Sequence, residues 1–219
     1  MKIDQDVKTK EDVLIIRKLE VGPIMANCFI VGCEETKQAV VIDPGDDADQ
    51  ILMALAKAEL KVKYLINTHG HFDHVGANKR MKDATAAQIA IHPDDEPMLL
   101  DLSSHAAMFG LGAENSPPAD IHLKDSDTIT FGNITFKVIH TPGHSPGGIC
   151  LYTPGHLFVG DTLFMGSIGR TDLPGGNYDT LISSIKTKLL NLDESTVVYP
   201  GHGPETTIAN EKRMNPFLR

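Results

Sequence analysis

Apolar residues in this chain fall into short runs, and the runs change period along it. Val13 to Ile16, Cys28 to Val31 and Ala39 to Ile42 are strand-length stretches separated by turn formers such as Gly22-Pro23. Between Ala48 and Leu60 the spacing changes, and Ile51, Leu52, Leu55 and Ala58 recur on one face of a predicted helix. Val62 to Ile66 is again a strand-length run, ending in a polar segment that begins at Asn67. Beyond a Pro/Gly-bearing region around Ser116 to Asp120, strands are expected at Thr128 to Phe131, Ile134 to Ile139, Gly148 to Tyr152 and Leu157 to Val159. Leu181, Ile182, Ile185 and Leu189 then mark an amphipathic helix, and Thr196 to Tyr199 a last strand running into Pro200-Gly201-His202.

The order of strands, helix, strand thus occurs twice. Such a pattern predicts an α/β fold in which two β-sheets pack face to face with helices outside, each half of the chain supplying one sheet and its covering helices. Either half alone would leave a sheet face bare, so residues 1–219 are expected to form a single domain, with the polar segment 1–12 as a flexible leader. Leu102 to Leu111, with Met108 and Phe109, has two readings: the lining of an entrance to a site, or a core helix.

Composition narrows the function. Twenty basic against 29 acidic side chains leave a net charge of −9, and the basic residues form no cluster, which argues against a nucleic-acid partner. No apolar stretch approaches the roughly 20 residues of a membrane span, so a soluble protein without a membrane partner is expected. Cys28, Cys33 and Cys150 lack paired spacing and suit buried thiols in a reducing cytoplasm better than a disulfide scaffold.

Chemistry concentrates in Thr68-His69-Gly70-His71-Phe72-Asp73-His74, directly after a predicted strand. Four potential metal ligands lie within six positions there. Side chains alternate along a strand, so His69 and His71 share a side, and the following turn can bring Asp73 and His74 to a neighbouring point. His144, Asp161 and His202 each follow a later predicted strand with glycine adjacent, and glycine lets a short loop aim a side chain at one place. His92, His105, His122, His140 and His156 lack such spacing and read as surface or core residues.

With the His-x-His-x-Asp-His run, the later histidine, aspartate and histidine in order, and Val41-Ile-Asp-Pro-Gly, the chain resembles the metallo-β-lactamase superfamily along nearly its whole length. Gly22-Pro-Ile-Met-Ala-Asn, Gly160-Asp-Thr-Leu-Phe, Gly169-Arg-Thr-Asp and Asn215-Pro-Phe are similar to the short glyoxalase II-like group within it. That resemblance implies an αββα sandwich of two mixed sheets flanked by helices. It also implies two divalent metal ions: one on His69, His71 and His144, a second on Asp73, His74 and His202, with Asp161 bridging. Zinc is the first expectation, and iron or manganese suit the same nitrogen and oxygen donors.

The implied reaction is hydrolysis of a small-molecule thioester such as S-D-lactoylglutathione by a hydroxide activated between the metals, with Asp73 as the catalytic carboxylate. Asp43 either supports a ligand imidazole by accepting its other N–H or is an ordinary Asp-Pro-Gly turn. Arg170 stands where the group places a cationic glutathione contact, and a structural salt bridge is its other reading. Asp172 departs from the tyrosine expected beside it. A persulfide dioxygenase with a mononuclear iron centre shares most of these motifs and is the rival reading. Oligomeric state does not follow from the sequence.

Overall fold

The computed structural model describes residues 14–108 and 110–219, so the expected leader at 1–12 lies outside the described residues. Its first sheet takes β1 (Leu14–Val21), β2 (Ala26–Cys33), β3 (Gln38–Ile42), β4 (Lys61–Ile66), β5 (Gln88–Ile91) and β6 (Ile121–His122) in that spatial order. The second runs β14 (Thr206–Thr207), β13 (Val197–Pro200), β10 (His156–Gly160), β9 (Ile149–Thr153), β8 (Ile134–His140) and β7 (Thr128–Phe131). A separate hairpin joins β11 (Leu163–Phe164) to β12 (Ser167–Ile168). Both large sheets are mixed: β1 to β3 pair antiparallel and β3 to β6 parallel, while β10 pairs parallel with β13 inside an otherwise antiparallel sheet. Each half of the chain supplies one sheet, as the run order predicts.

Alternation along the strands builds three apolar layers. On the inner face Phe29, Val31, Val40, Ile42 and Ile66 of the first sheet meet Phe136, Val138, Leu151 and Phe158 of the second. Intervening residues of the same strands, among them Ile30, Val41 and Leu65, face outward and are covered by Ile51 and Leu55 of α1 (Ala48–Lys57) and Met81 of α3 (Asn78–Thr85). The outer face of the second sheet, with Leu157, Val159 and Val198, lies under Leu181 of α6 (Tyr178–Ser184), the π-helical turn Ile185–Leu189, and Ile208 of α7 (Ile208–Met214). Burial on both faces explains why all eight residues of β2 are buried and read as one apolar run. The architecture is αββα.

Helix α1 ends before the predicted Leu60, because Glu59 turns into the left-handed region at φ 57° and the chain enters β4. Short elements escaped the periodicity: α2 (Phe72–Val75), α4 (Glu96–Leu100), β6 and β14 are two to five residues long. In Leu102 to Leu111, α5 (Leu102–Met108) buries Leu102 and Ala106, while Leu111 lines a cleft; Phe109 and the Met108 side chain, on which the entrance reading was placed, lie outside the described residues. All three cysteines are free and buried. No helix among the described residues is long and apolar enough to cross a membrane.

Phe136 is fully buried at the centre of the inner layer, in edge and tilted contact with Phe158 and Phe131. Phe136→Ala is expected to cost about 3–5 kcal/mol and to lower the melting temperature by about 6–20 °C. Thermal denaturation checks it; a shift under about 3 °C would show that the two sheets do not depend on this layer.

Candidate metal centre

The strands that matter end at one edge of the sandwich. Asp43 follows β3, residues 67–71 follow β4, residues 141–148 follow β8, Asp161 follows β10 and His202 lies two residues past β13. Parallel register sets Ile42 beside Ile66 and Gly160 beside Pro200, so these loops leave the two sheets side by side. Cross-links then tie the edge together: Ile149 N donates to Thr68 O at 2.8 Å, Asn27 N to Gly201 O at 2.7 Å, and Gly201 N to Gly160 O at 2.7 Å. Asn27, in the Gly22-to-Asn27 motif, also donates through Nδ2 to Pro200 O and Gly203 O, which fixes the turn carrying His202.

All seven sequence-predicted ligand residues come together here, six of them in two triads and Asp161 between. His69, His71 and His144 form one, and Asp73, His74 and His202 the other. His71 Nδ1 lies 2.9 Å from His144 Nε2, His74 Nε2 3.2 Å from His202 Nε2, and Asp73 Oδ2 3.2 Å from His202 Nε2. Asp161 sits between the triads, with Oδ1 3.5 Å from His74 Nε2 and Oδ2 3.6 Å from His144 Nε2. Donors bound tetrahedrally at about 2.0–2.1 Å would stand about 3.3 Å apart, so these spacings suit a small divalent ion.

Tautomers point the same way. His74 Nδ1 donates to Asp43 Oδ2 at 3.1 Å, and His144 Nδ1 donates to Arg170 O at 2.8 Å. Thr68 Oγ1 donates to Asp43 Oδ2 at 2.6 Å and therefore accepts from His69 Nδ1 at 3.1 Å. Each backing bond puts a proton on Nδ1 and directs Nε2 at the cluster, bare on His69 and open to a cation on His74 once its second proton leaves. His69 Nε2 and Asp161 Oδ1 are buried without a hydrogen-bond partner. Buried acceptors facing one another without donors repel unless a cation lies among them, so the residues fit a metal pair.

Protonation in the bare protein separates the triads. Burial and the neighbouring imidazoles drive His69 far below its usual value and His71 to about 3, so neither competes with a cation. Burial opposes charge on His74 too, yet Asp73, Asp161 and Asp43 outweigh it and lift His74 to about 10. Burial likewise opposes charge on His202, and its hydrogen bond to Asp73 together with the charge of Asp161 raises it. Asp73 is held well below the usual carboxylate range, the charges of His74 and His202 overcoming its burial.

Asp43 is buried and takes a left-handed φ of 52°, accepting from Thr68 N at 2.7 Å as well as from Thr68 Oγ1 and His74. Close approach elsewhere requires glycine: a Cβ on Gly201 would overlap Asp161 Oδ1, and one on Gly45 the backbone oxygen of Asp73.

One residue that the sequence reading passes over is Asp95. Its buried carboxylate accepts from Gly70 N at 3.0 Å, Ser145 Oγ at 2.7 Å and Gly147 N at 2.6 Å, joining the His69–His74 loop to the His144 loop. In Pro93-Asp94-Asp95-Glu96-Pro97 it looks like any acidic helix start, and Asp94 beside it is exposed. Nothing local distinguishes them.

Of the other histidines, His92 and His140 stack at 4.1 Å with rings 9° apart, near Asp94. Parallel rings direct their lone pairs side by side, not toward one point. His156 bonds Tyr199 Oη at 2.9 Å, and His122 pairs with Glu96. Arg170 is exposed and grips Asp172 through two bonds of 2.7 and 2.8 Å.

Residues 21–202 match the family model described as the metallo-β-lactamase superfamily. The chain belongs to the metallo-β-lactamase superfamily. Within it, the chain is 39% identical to hydroxyacylglutathione hydrolase GloC of Haemophilus influenzae, over 91% of this chain and 97% of that one. Among solved structures, the BLEG-1 B3 metallo-β-lactamase superposes with a TM-score of 0.87 at 39% identity, covering 93% of this chain and 99% of that one. TTHA1623 in a di-iron-bound form follows at 0.85 and 39%, covering 92% and 99%. This superfamily chain is accordingly a metal-binding hydrolase in outline.

Two predictions follow the geometry. Asp95→Ala strands three buried donors, and is expected to lower stability by about 3–5 kcal/mol and metal affinity at the three-histidine triad by about 10–100-fold. Asp95→Asn, which keeps two acceptor sites, should lose less of both; equal metal affinity in all three proteins, measured with a chelator, would show that Asp95 does not position the loops. For pH the sign comes from His74. Raised to about 10, it is protonated at neutral pH, and a metal entering that triad must displace the proton. Zinc affinity of the Asp73 triad should therefore rise about tenfold per pH unit between pH 6 and 8. Titrating the apo-protein at both pH values tests this, and an affinity at that triad that does not change with pH would refute it.

Proposed function

We propose that this chain hydrolyses small-molecule thioesters, of which S-D-lactoylglutathione is one, with two divalent ions. His69, His71 and His144 would hold one ion and Asp73, His74 and His202 the other, with Asp161 in reach of both triads. What carries the reading is the unpartnered pair of buried acceptors, His69 Nε2 and Asp161 Oδ1, where the triads meet. Identity with a hydroxyacylglutathione hydrolase supports the thioester. Zinc remains the first expectation, while iron or manganese fit the same donors and a relative has a di-iron form. When bound, two such ions lower the pKa of water toward neutrality and stabilise negative charge on an attacked carbonyl oxygen.

The chain's own groups supply the rest. Asp73 stays ionised and would orient the attacking water by accepting a hydrogen bond from it at the carboxylate. A thiol leaving group, with a pKa of about 8.5, departs as thiolate and asks for little acid help. Beside Asp73 opens a cleft of ≈ 300 Å³ whose apolar wall is Val21, Pro23, Ile24, Phe72 and Leu111, suited to an acyl chain. Nearby hydroxyls are committed elsewhere, Thr68 to Asp43 and Ser145 to Asp95, so water is the nucleophile. With a net charge of −9, the proposed partner is a small molecule and not a nucleic acid.

Metal content of protein purified without added metal, measured with thioester hydrolysis and persulfide-dependent oxygen uptake on the same sample, tests this. About two metals per chain with thioester cleavage is expected, and Asp73→Asn should lower kcat by about 10²-fold or more. One iron with oxygen uptake would make the protein a persulfide dioxygenase. Two metals with β-lactam opening and no thioester cleavage would replace the substrate class.

A further inference from the structure

The cleft beside Asp73 has walls that are fixed from within the fold. One is the turn between β1 and β2, where Gly22 N donates to Asp47 Oδ2 at 2.9 Å and Met25 N to Gly22 O at 3.1 Å, so Pro23 and Ile24 line the cleft from a closed turn. Another is the segment 111–114, tied to two helices: Leu111 N donates to Ala106 O of α5 at 3.0 Å, and Glu114 pairs with Lys79 of α3. Phe72 brings the apolar lining up to Asp73 and hence to the second triad. Preformed, mostly apolar clefts of this size are what small ligands occupy.

Charge decides which half of a thioester can enter. The lining carries the carboxylates of Asp46, Asp73 and Glu114, and none of the described lining residues is basic. Asp73 belongs to the triad, Asp46 Oδ1 accepts from Asp47 N at 2.7 Å, and Glu114 is exposed beside Lys79. A ligand carboxylate drawn into the cleft would meet apolar side chains and like charges, with no lining cation to pair it, and such burial is costly. In a thioester such as S-D-lactoylglutathione the peptide half carries carboxylates and the acyl half is neutral. The acyl half is therefore the one that fits the cleft, with the peptide outside it.

Size then decides how long that half can be. With its carbonyl carbon at the triads, a lactoyl group extends by a methine, a methyl and a hydroxyl oxygen, which at roughly 30 Å³ each, the share of a water molecule, take about 90 Å³. The cleft offers ≈ 300 Å³. We infer that it is an acyl-chain site that selects thioesters of uncharged, apolar acyl groups of about six to eight carbons and rejects acyl groups ending in a carboxylate. The inference rests on the thioester reading above and names the acyl class within it. A lactoyl group still enters, and leaves most of the cleft to water. Val21, Pro23, Ile24, Phe72 and Leu111 act here on specificity and take no part in bond cleavage. Each methylene that they remove from water is expected to strengthen binding about two- to fourfold.

The experiment gives the metal-loaded full chain a series of N-acetylcysteamine thioesters, acetyl, butyryl, hexanoyl, octanoyl and dodecanoyl, with adipoyl as the six-carbon group that ends in a carboxylate. Expected is a rise in kcat/KM of about two- to fourfold per methylene up to hexanoyl, carried by KM and levelling near octanoyl, with adipoyl about tenfold or more below hexanoyl. Ile24→Ser and Leu111→Ser, at positions that are not buried, should each flatten the rise. Glu114→Lys should raise the ratio of adipoyl to hexanoyl by about three- to tenfold, an effect that 0.5 M salt removes. A flat length profile, a rise that survives both serine variants, or adipoyl cleaved as well as hexanoyl overturns the inference. Calorimetric binding of S-ethyl- and S-octyl-N-acetylcysteamine, thioethers that cannot be hydrolysed, reads the chain site without turnover. Should no thioester be cleaved while the octyl compound binds about tenfold tighter and Leu111→Ser removes the difference, the thioester reading fails and the chain site stands; equal binding of the two thioethers rejects the chain site.

Discussion

Everything at the rim of this sandwich hangs on the carboxylate of Asp43. It is buried at the end of β3, where its backbone turns into the left-handed region, a conformation that costs a non-glycine residue about 1–3 kcal/mol. Three hydrogen bonds hold it there, and through them it reaches both triads: His74 directly, and His69 by way of the Thr68 hydroxyl. Each contact puts a proton on Nδ1 and turns Nε2 inward. One aspartate thus sets the tautomer of two imidazoles whose side chains belong to different halves of the cluster. The same turn sends Pro44 and Gly45 beneath the Asp73 loop, where Ala77 N donates to Pro44 O at 2.9 Å and only a glycine can pass.

Around that anchor the two sheets share the labour unequally. The first sheet contributes His69, His71, Asp73 and His74 from one loop, and the second contributes His144, Asp161 and His202 from three. Their alignment depends on bonds between halves of the chain distant in sequence, such as Asp95 to Gly147 and Asn27 to Pro200. These bonds are buried, and a buried polar link is costly to break because the freed groups find no water. Precise spacing at the cluster is thereby bound to the stability of the packed sheets, and the strain at Asp43 is carried by the same network.

Most of the strand framework was legible because both faces of each sheet are covered, so strands such as β2 and β10 carry continuous apolar stretches, Cys28 to Val31 and Leu157 to Val159. The positions of His69 to His74, His144, Asp161 and His202 were legible because each follows such a run, with glycine alongside. Helices α2 to α4 were not, being short and, in α3, largely polar on the surface. Asp95 was invisible for a different reason. Its neighbour Asp94 has the same chemistry, and only a contact with residues 50 and 52 positions later separates a buried tie from a solvated charge. Asn27 gave a stronger hint, as a polar residue inside an apolar run, where an amide needs partners that the strand itself cannot supply.

Charge explains how a protein this acidic can present a cationic reaction centre. In the bare cluster the carboxylates of Asp73, Asp161 and Asp43 raise His74 to about 10, so the site already holds positive charge as protons. Divalent ions held there would exchange for those protons on donors that are fixed in place, with little reorganisation of the surrounding shell. Outside the cluster the balance reverses: Asp46 and Glu114 line the cleft, and Asp172 pairs with Arg170, whose backbone oxygen holds His144. On the proposed thioester reading, metals in the cluster would act at the scissile carbonyl itself. Binding energy spent at the reacting atoms favours the transition state over the ground state, whereas a grip on a distant carboxylate strengthens both alike.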